Sequence, residues 1–296
     1  MNDRAKFVDP HMESLLPEVK FSRRGFLASA AAATGYALGA GPVMAQTAIK
    51  TPADGLSVAE VKIPVAGGEM PGYTAAPKKA GKFPVVIVIP EIFGMHEYQK
   101  DICRRLAKAG YFAITLDPYF RIGDLSKISE FKEVLAKANS LADTQMLADL
   151  DALVAFVEKQ GKANAKRLGI TGMCRGGRTV WMYTAHSKKI KAGVSWYGGL
   201  NPTLPAQPLT PLDIADQLNA PVLGLYGGAD QGIPIVMVER MRAALFAFGK
   251  DKQSPIHVYP DMPHAFHADY RPSYRKQAAE DGWKRMLAWF RKHGVA

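Results

Sequence analysis

The chain has 296 residues, 48% hydrophobic and 22% charged, enough to bury one full α/β core and still carry a targeting segment. Its net charge of +11 comes from Lys and Arg scattered over helix faces, with no basic stripe interleaved with aromatics. That argues against nucleic acid as a partner and for anionic small molecules or acidic surfaces. No internal repeat is evident, and no apolar run reaches the ~18 residues that a membrane span needs.

Ser22-Arg23-Arg24-Gly25-Phe26-Leu27 precedes a mildly apolar run, Ala28 to Ala40, and then Val43-Met44-Ala45, a small-residue cleavage pattern. This looks like a twin-arginine signal peptide over 1–45, followed by a leader over 46–56 and a single domain over 57–296. A weakly amphipathic helix or a membrane anchor are the competing readings, and the run is short and Gly/Ala-rich for an anchor. The expectation is export by the twin-arginine machinery to the periplasm or the medium. Loss of 1–45 removes five basic and four acidic side chains and leaves a charge of +10.

Val58–Val65 alternates like an amphipathic strand, and Gly67-Gly68 turns it into Glu69–Ala76 as a hairpin. Phe83–Pro90 is a continuous apolar strand, which implies a parallel sheet covered on both faces. Glu91-Ile92-Phe93-Gly94 follows at its carboxyl end, where open α/β sheets bind ligands. The helix His96–Ala109 turns Ile102, Cys103, Leu106 and Ala107 inward, so Cys103 reads as a buried core thiol that stays apart from the other cysteine. The strand Tyr111–Leu116 ends near Arg121, a candidate for the mouth of a site or a solvated loop arginine. Of two helical stretches beyond it, the second repeats Met146, Leu147, Leu150, Leu153, Val154 and Val157 at helical spacing, and a loop from Lys159 to Lys166 follows.

Arg167-Leu168-Gly169-Ile170-Thr171-Gly172-Met173-Cys174-Arg175-Gly176-Gly177-Arg178 is the stretch around which the chain is organised. A short β-branched strand ends in Gly-x-Cys-x-Gly-Gly, and a stretch with helical character, Thr179 to His186, comes after it. This is the pattern of a nucleophile elbow with sulfur in place of oxygen. Small residues two before and two after the nucleophile let strand and helix backbones close. A helix starting behind Cys174 favours a thiolate and a developing oxyanion through its free N–H groups. A structural cysteine in a Gly-rich turn is the bland alternative.

The strand Lys191–Trp196 runs into Tyr197, either a pocket wall or a packed aromatic, and Leu200–Leu218 is a Pro-rich loop. Pro221–Gly227 is another buried strand, with Asp230 just past it. The helix Pro234–Phe248, the strand Ser254–Pro260, the loop carrying His264 and His267, and a final amphipathic helix through Ala279, Trp283, Met286, Leu287 and Phe290 complete the chain.

Cys174, Asp230 and His264 thus occur in the nucleophile–acid–histidine order of an α/β-hydrolase, each in the turn after a buried strand. His264 can take the thiol proton and Asp230 can fix its tautomer, while the N–H groups of Ile92 and Arg175 are placed for an oxyanion hole. His264 with His267 could suggest a metal pair, but no Cys-x-x-Cys or His-Glu-x-x-His supports one, so no metal or cofactor is expected.

Pro90-Glu91-Ile92-Phe93-Gly94, Gly172-Met173-Cys174-Arg175-Gly176-Gly177, Gly228-Ala229-Asp230 and His264-Ala265-Phe266 resemble the motifs of dienelactone hydrolases (carboxymethylenebutenolidases) from about Val58 onward. The resemblance implies an α/β-hydrolase fold: a mostly parallel sheet with helices on both faces, an N-terminal hairpin and no large cap. It implies lactone opening, with Glu91 helping to activate the thiol and Arg121 holding a substrate carboxylate. The family's second arginine, four positions after the histidine, is Ala268 here, with His267 and Arg271 as possible substitutes. The expected substrate is a small anionic lactone or ester cleaved through an acyl-enzyme. The alternatives are an exported binding protein for anionic aromatics on a retired hydrolase scaffold, or a redox thiol.

Overall fold

In the computed structural model the described residues are 49–200 and 204–296. The expected signal segment, the leader up to residue 48, and three residues of the Pro-rich loop lie outside them. The sheet has eight strands in the order β1-β2-β4-β3-β5-β6-β7-β8. Strands β1 (Leu56–Val65) and β2 (Gly68–Pro77) form the antiparallel hairpin, closed at Gly67, whose φ of 82° suits glycine. Strand β2 runs antiparallel to β4 (Phe112–Leu116). From there β3 (Phe83–Ile89), β5 (Ala163–Met173), β6 (Ile190–Trp196), β7 (Val222–Gly227) and β8 (Ile256–Tyr259) are all parallel.

The continuous apolar runs are continuous because both faces are covered. Val85, Val86, Ile87 and Val88 are all 0% exposed. On β6, Gly193 faces Val180 and Thr184 of α4 (Arg175–His186), while Trp196, three residues on, packs on Gly282 of α6 (Lys276–Lys292). Helices therefore lie on opposite faces, as the period-2 alternation of a strand demands. Helix α1 (Glu97–Lys108) packs on β2 and β4, and α3 (Asp143–Glu158) on β1 and β5. Each buried Val, Ile or Leu side chain contributes roughly 1.5–3 kcal/mol. Helix α2 (Phe131–Ser140) and a 3-10 turn at Leu125–Lys127 cover a separate small cluster of Ile92, Phe93, Tyr119, Leu125, Val134 and Ala138 beyond the carboxyl end of β3. Helix α5 (Ile235–Ala247) completes the set.

Two sequence expectations need correction. The Lys159–Lys166 link is not wholly a loop: β5 begins at Ala163, pairing Ala163 and Asn164 with Phe83 and Pro84 before its register shifts. The polar Asn164 and Lys166 gave no strand pattern because the backbone pairing there precedes a bulge. The helix after the elbow begins at Arg175, directly behind Cys174 as expected, with Gly176 and Gly177 in its first turn ahead of the Thr179–His186 stretch. The Pro-rich loop also contains a 3-10 helix, Leu212–Gln217. The two cysteines are free, and Cys103 is fully buried on α1, as expected.

Candidate active site

Cys174 sits between β5 and α4 with φ 55° and ψ −115°, a conformation that a side chain adopts only when the surroundings enforce it. Two glycines enforce it. A Cβ on Gly172 would run into the Gly176 carbonyl, and a Cβ on Gly176 would run into that of Ile89. The crossing of strand, turn and helix therefore exists only with glycine at both places. The Cys174 N–H donates to the Trp196 carbonyl at 3.0 Å, and the Cys174 carbonyl accepts from the Arg178 N–H at 3.1 Å, locking the turn into β6 and α4.

Asp230 follows β7 and is 3% exposed. Its Oδ1 accepts from the N–H groups of Gly232 at 2.8 Å and Ile233 at 3.0 Å, which leaves Oδ2 for His264 Nδ1 at 2.7 Å. The two loops are tied together: the Ala229 N–H donates to the Met262 carbonyl at 3.1 Å. Gly227 lies so close to Met262, and Gly228 to Pro260, that neither admits a side chain. His264 also hydrogen-bonds Cys174. Burial disfavours its imidazolium, but the Asp230 carboxylate and Cys174, by charge and by hydrogen bond, outweigh burial and push His264 up to about 10. At neutral pH its ring is protonated. The structure thus brings Cys174, His264 and Asp230 into one hydrogen-bonded line.

The Ile92 and Arg175 N–H groups donate to no backbone acceptor among the described residues. The Arg175 amide stands in the first turn of α4, where helix geometry leaves such a donor free. Tyr197 has φ 38°, is fully buried, and presents its ring to His264 at 5.0 Å between centroids. It is a packed wall of the histidine as much as of any pocket.

Glu91 is 0% exposed. The Tyr270 hydroxyl donates to its Oε2, Arg271 Nη2 approaches the same oxygen at 3.9 Å, and Oε1 has no partner among the described residues. Burial, reinforced by the Glu91 charge, holds the Tyr270 phenol well above its ordinary range, so it remains a donor. Arg271 also stacks over Phe93 at 5.0 Å. It therefore stands beside the glutamate, where the resemblance calls for an arginine that position 268 does not supply. His267 does not. It is 2% exposed, bonded through Nδ1 to the Tyr98 hydroxyl at 2.6 Å, and packed on Trp196. Burial and then Arg105 lower it to about 3, so it is neutral and cannot hold an anion.

Arg121 is placed differently from the expectation. Its guanidinium binds Asp149 of α3 at 2.7 and 2.9 Å and the hairpin carbonyl of Ala66 at 2.6 Å. Asp149 is 1% exposed, and a buried carboxylate needs a cation more than a solvent-facing site does. Tyr270 and Asp149, which hold Glu91 and Arg121, carried no sequence signal: their partners come from distant segments brought together only by folding.

The chain matches the profile of the dienelactone hydrolase family over residues 70–294. It is 51% identical over 290 residues to a protein of Methylorubrum extorquens provisionally named a carboxymethylenebutenolidase, covering 97% of this chain and 99% of that one. An Escherichia coli K12 protein with the same provisional name is 48% identical over 264 residues, with 88% and 96% coverage. A crystal structure from Klebsiella pneumoniae, provisionally described as a dienelactone hydrolase, superposes with TM-score 0.77 at 48% identity, covering 79% of this chain and 98% of that one. The Pyrococcus horikoshii acylaminoacyl peptidase shares the fold at 19% identity and TM-score 0.65, over 84% of this chain and 43% of its own. The elbow, the acid and the histidine of an α/β-hydrolase stand within the stretch these similarities cover, and the chain belongs to the dienelactone hydrolase family.

Proposed function

We propose that the protein hydrolyses small esters or lactones through a Cys174 acyl-enzyme. The observation that carries this is His264, bonded to Asp230 on one side and to Cys174 on the other, with the thiol in the strained turn ahead of α4. The Cys174 thiolate attacks the substrate carbonyl carbon, and the charge passes to the carbonyl oxygen between the Ile92 and Arg175 N–H groups. As the C–O bond breaks, His264 gives its proton to the leaving oxygen. Neutral His264 then takes a proton from water, which attacks the thioester carbon and returns the thiolate. Loss of one oxyanion donor in such a site costs about 10²–10³ in rate. Glu91, next to Tyr270 and Arg271, is assigned to thiol activation. No step calls on a cofactor.

The family resemblance and the net charge support a small anionic lactone as substrate. The test is hydrolysis of dienelactones and short activated esters by the wild type and Cys174→Ala under reducing conditions. Cysteine-dependent turnover is expected. Turnover that survives the substitution would reject the mechanism, and folded protein without any turnover would favour a binding role. Export by the twin-arginine route is part of the same proposal and rests on Arg23 and Arg24. Cell fractionation of an Arg23→Lys/Arg24→Lys variant should find the protein retained inside the cell.

A further inference from the structure

Most of the buried and half-buried arginines among the described residues are matched to acids. Arg104 and Arg105 pair with Glu97, Asp101 and Asp269, Arg121 with Asp149, and Arg178 with Asp143, while Arg271 faces Glu91. Half-buried Arg167 meets only the Gly294 carbonyl, at 3.4 Å, and Arg175, directly behind Cys174, is likewise without an acid. Its Nη1 donates to Oε1 of Gln207 and its Nη2 to the Leu141 carbonyl at 3.4 Å, both neutral acceptors, and no carboxylate among the described residues forms an ion pair with it.

Gln207 is fixed for this task. It is 2% exposed, and its Nε2 donates to the carbonyls of Asn139 and Leu141, each at 3.2 Å, so its amide oxygen must face the guanidinium. A guanidinium has five N–H donors, of which two are used here. The titratable groups around Arg175 are Tyr119, Cys174, and Arg178 and Asp143, which pair with each other. A largely enclosed guanidinium with neutral partners alone is expensive. It is also preorganised for a planar anion, because carboxylates accept two parallel N–H bonds from its fork.

We propose that the Arg175 side chain reads a carboxylate on the substrate, so that the residue after the nucleophile selects anionic esters and lactones while Arg121 stays paired with Asp149. The proposal rests on the reading of Cys174 as the reacting thiol, but not on turnover. Gln207 is the positioning residue that aims the fork.

The test is alkylation of Cys174 by iodoacetate, which carries a carboxylate, and by neutral iodoacetamide, in the full chain at matched pH and low salt. The readout is the ratio of the two rate constants, so a general loss of reactivity in a variant cancels. In Arg175→Gln the iodoacetate/iodoacetamide ratio should fall by about 10-fold or more, and Arg175→Lys should lie between the two, as expected on losing first the fork and then the charge. Gln207→Glu places a carboxylate of the chain against the same guanidinium and should lower the ratio likewise, which covers the case in which Arg175→Gln does not fold. A ratio unchanged in these variants overturns the proposal. Absence of cysteine-dependent hydrolysis with the ratio shift intact would instead reject the enzymatic reading alone.

Discussion

His264 Nδ1 lies 2.7 Å from Asp230 Oδ2, and the opposite oxygen of that carboxylate is held by two backbone N–H groups. The acid therefore cannot turn away, and the imidazole must present its other edge to Cys174. This relationship sets the pH behaviour. With His264 raised to about 10, a plateau of Cys174-dependent activity through neutral pH should give way to an alkaline limb near pH 10 as the imidazolium loses its proton. Because the folded value lies above the unfolded one of about 6.5, the stabilising part is complete below pH 6.5 and is lost as pH rises toward 10. Urea unfolding of the wild type and His264→Gln should differ most at pH 6 and converge above pH 10. A constant difference across that range would contradict the assignment.

Tyr270→Phe removes the hydroxyl that donates to a fully buried Glu91 oxygen while the other oxygen has no hydrogen-bond partner among the described residues. The variant should lose about 1–3 kcal/mol of stability, the cost of leaving a buried polar group unsatisfied. Restoring shape but not charge with Glu91→Gln in the same background should recover part of it. Differential scanning calorimetry reads both.

Arg121→Leu strands Asp149, which is 1% exposed, with Gln145 at 3.0 Å as its remaining side-chain donor. The expected loss is about 3–5 kcal/mol. The double variant Arg121→Leu/Asp149→Leu should be less destabilised than the sum, since neither charge is then left alone. The kcat/KM preference for anionic over neutral substrates should survive Arg121→Leu. Its collapse would return the carboxylate-binding role to Arg121.

Asp117, at the end of β4, is pushed up to about 6 by burial and by Asp124, against the opposing Tyr119 N–H bond. An acid whose folded value is raised costs nothing below about pH 4, where it is protonated in both states, and its full penalty above pH 6. Asp117→Asn keeps an oxygen for the Tyr119 N–H and should stabilise the protein on the order of 2 kcal/mol at pH 7.5, with little gain at pH 4. Thermal melts at the two pH values decide the matter.

The central parallel strands β3, β4, β6 and β7 were legible because each is an apolar run, and burial on both faces leaves little other composition. The elbow was legible for a stronger reason: its glycines answer to backbone collisions that no other residue avoids. What could not be read was where long polar side chains end. Arg121 and Arg175 each follow a strand end at the same sheet edge, and nothing local distinguishes them. One finds Asp149 and the hairpin carbonyl of Ala66, the other Gln207 and the carbonyl of Leu141. The partners come from helices and loops tens of residues away, so the difference is a property of packing. The start of β5 escaped for a related reason, since Ala163 and Asn164 pair through backbone alone.

The chain has two cysteines, and Cys103 is sealed within the sheet–helix interface at 0% exposure. Burial above all holds its thiol well above the ordinary value, so it stays inert. No second thiol of the same chain can then resolve a sulfenic acid formed on Cys174. Peroxide damage at this site is reversible only by a small diffusible thiol narrow enough to follow the substrate's own route inward, and without one the sulfur proceeds to sulfinic acid and the molecule is lost.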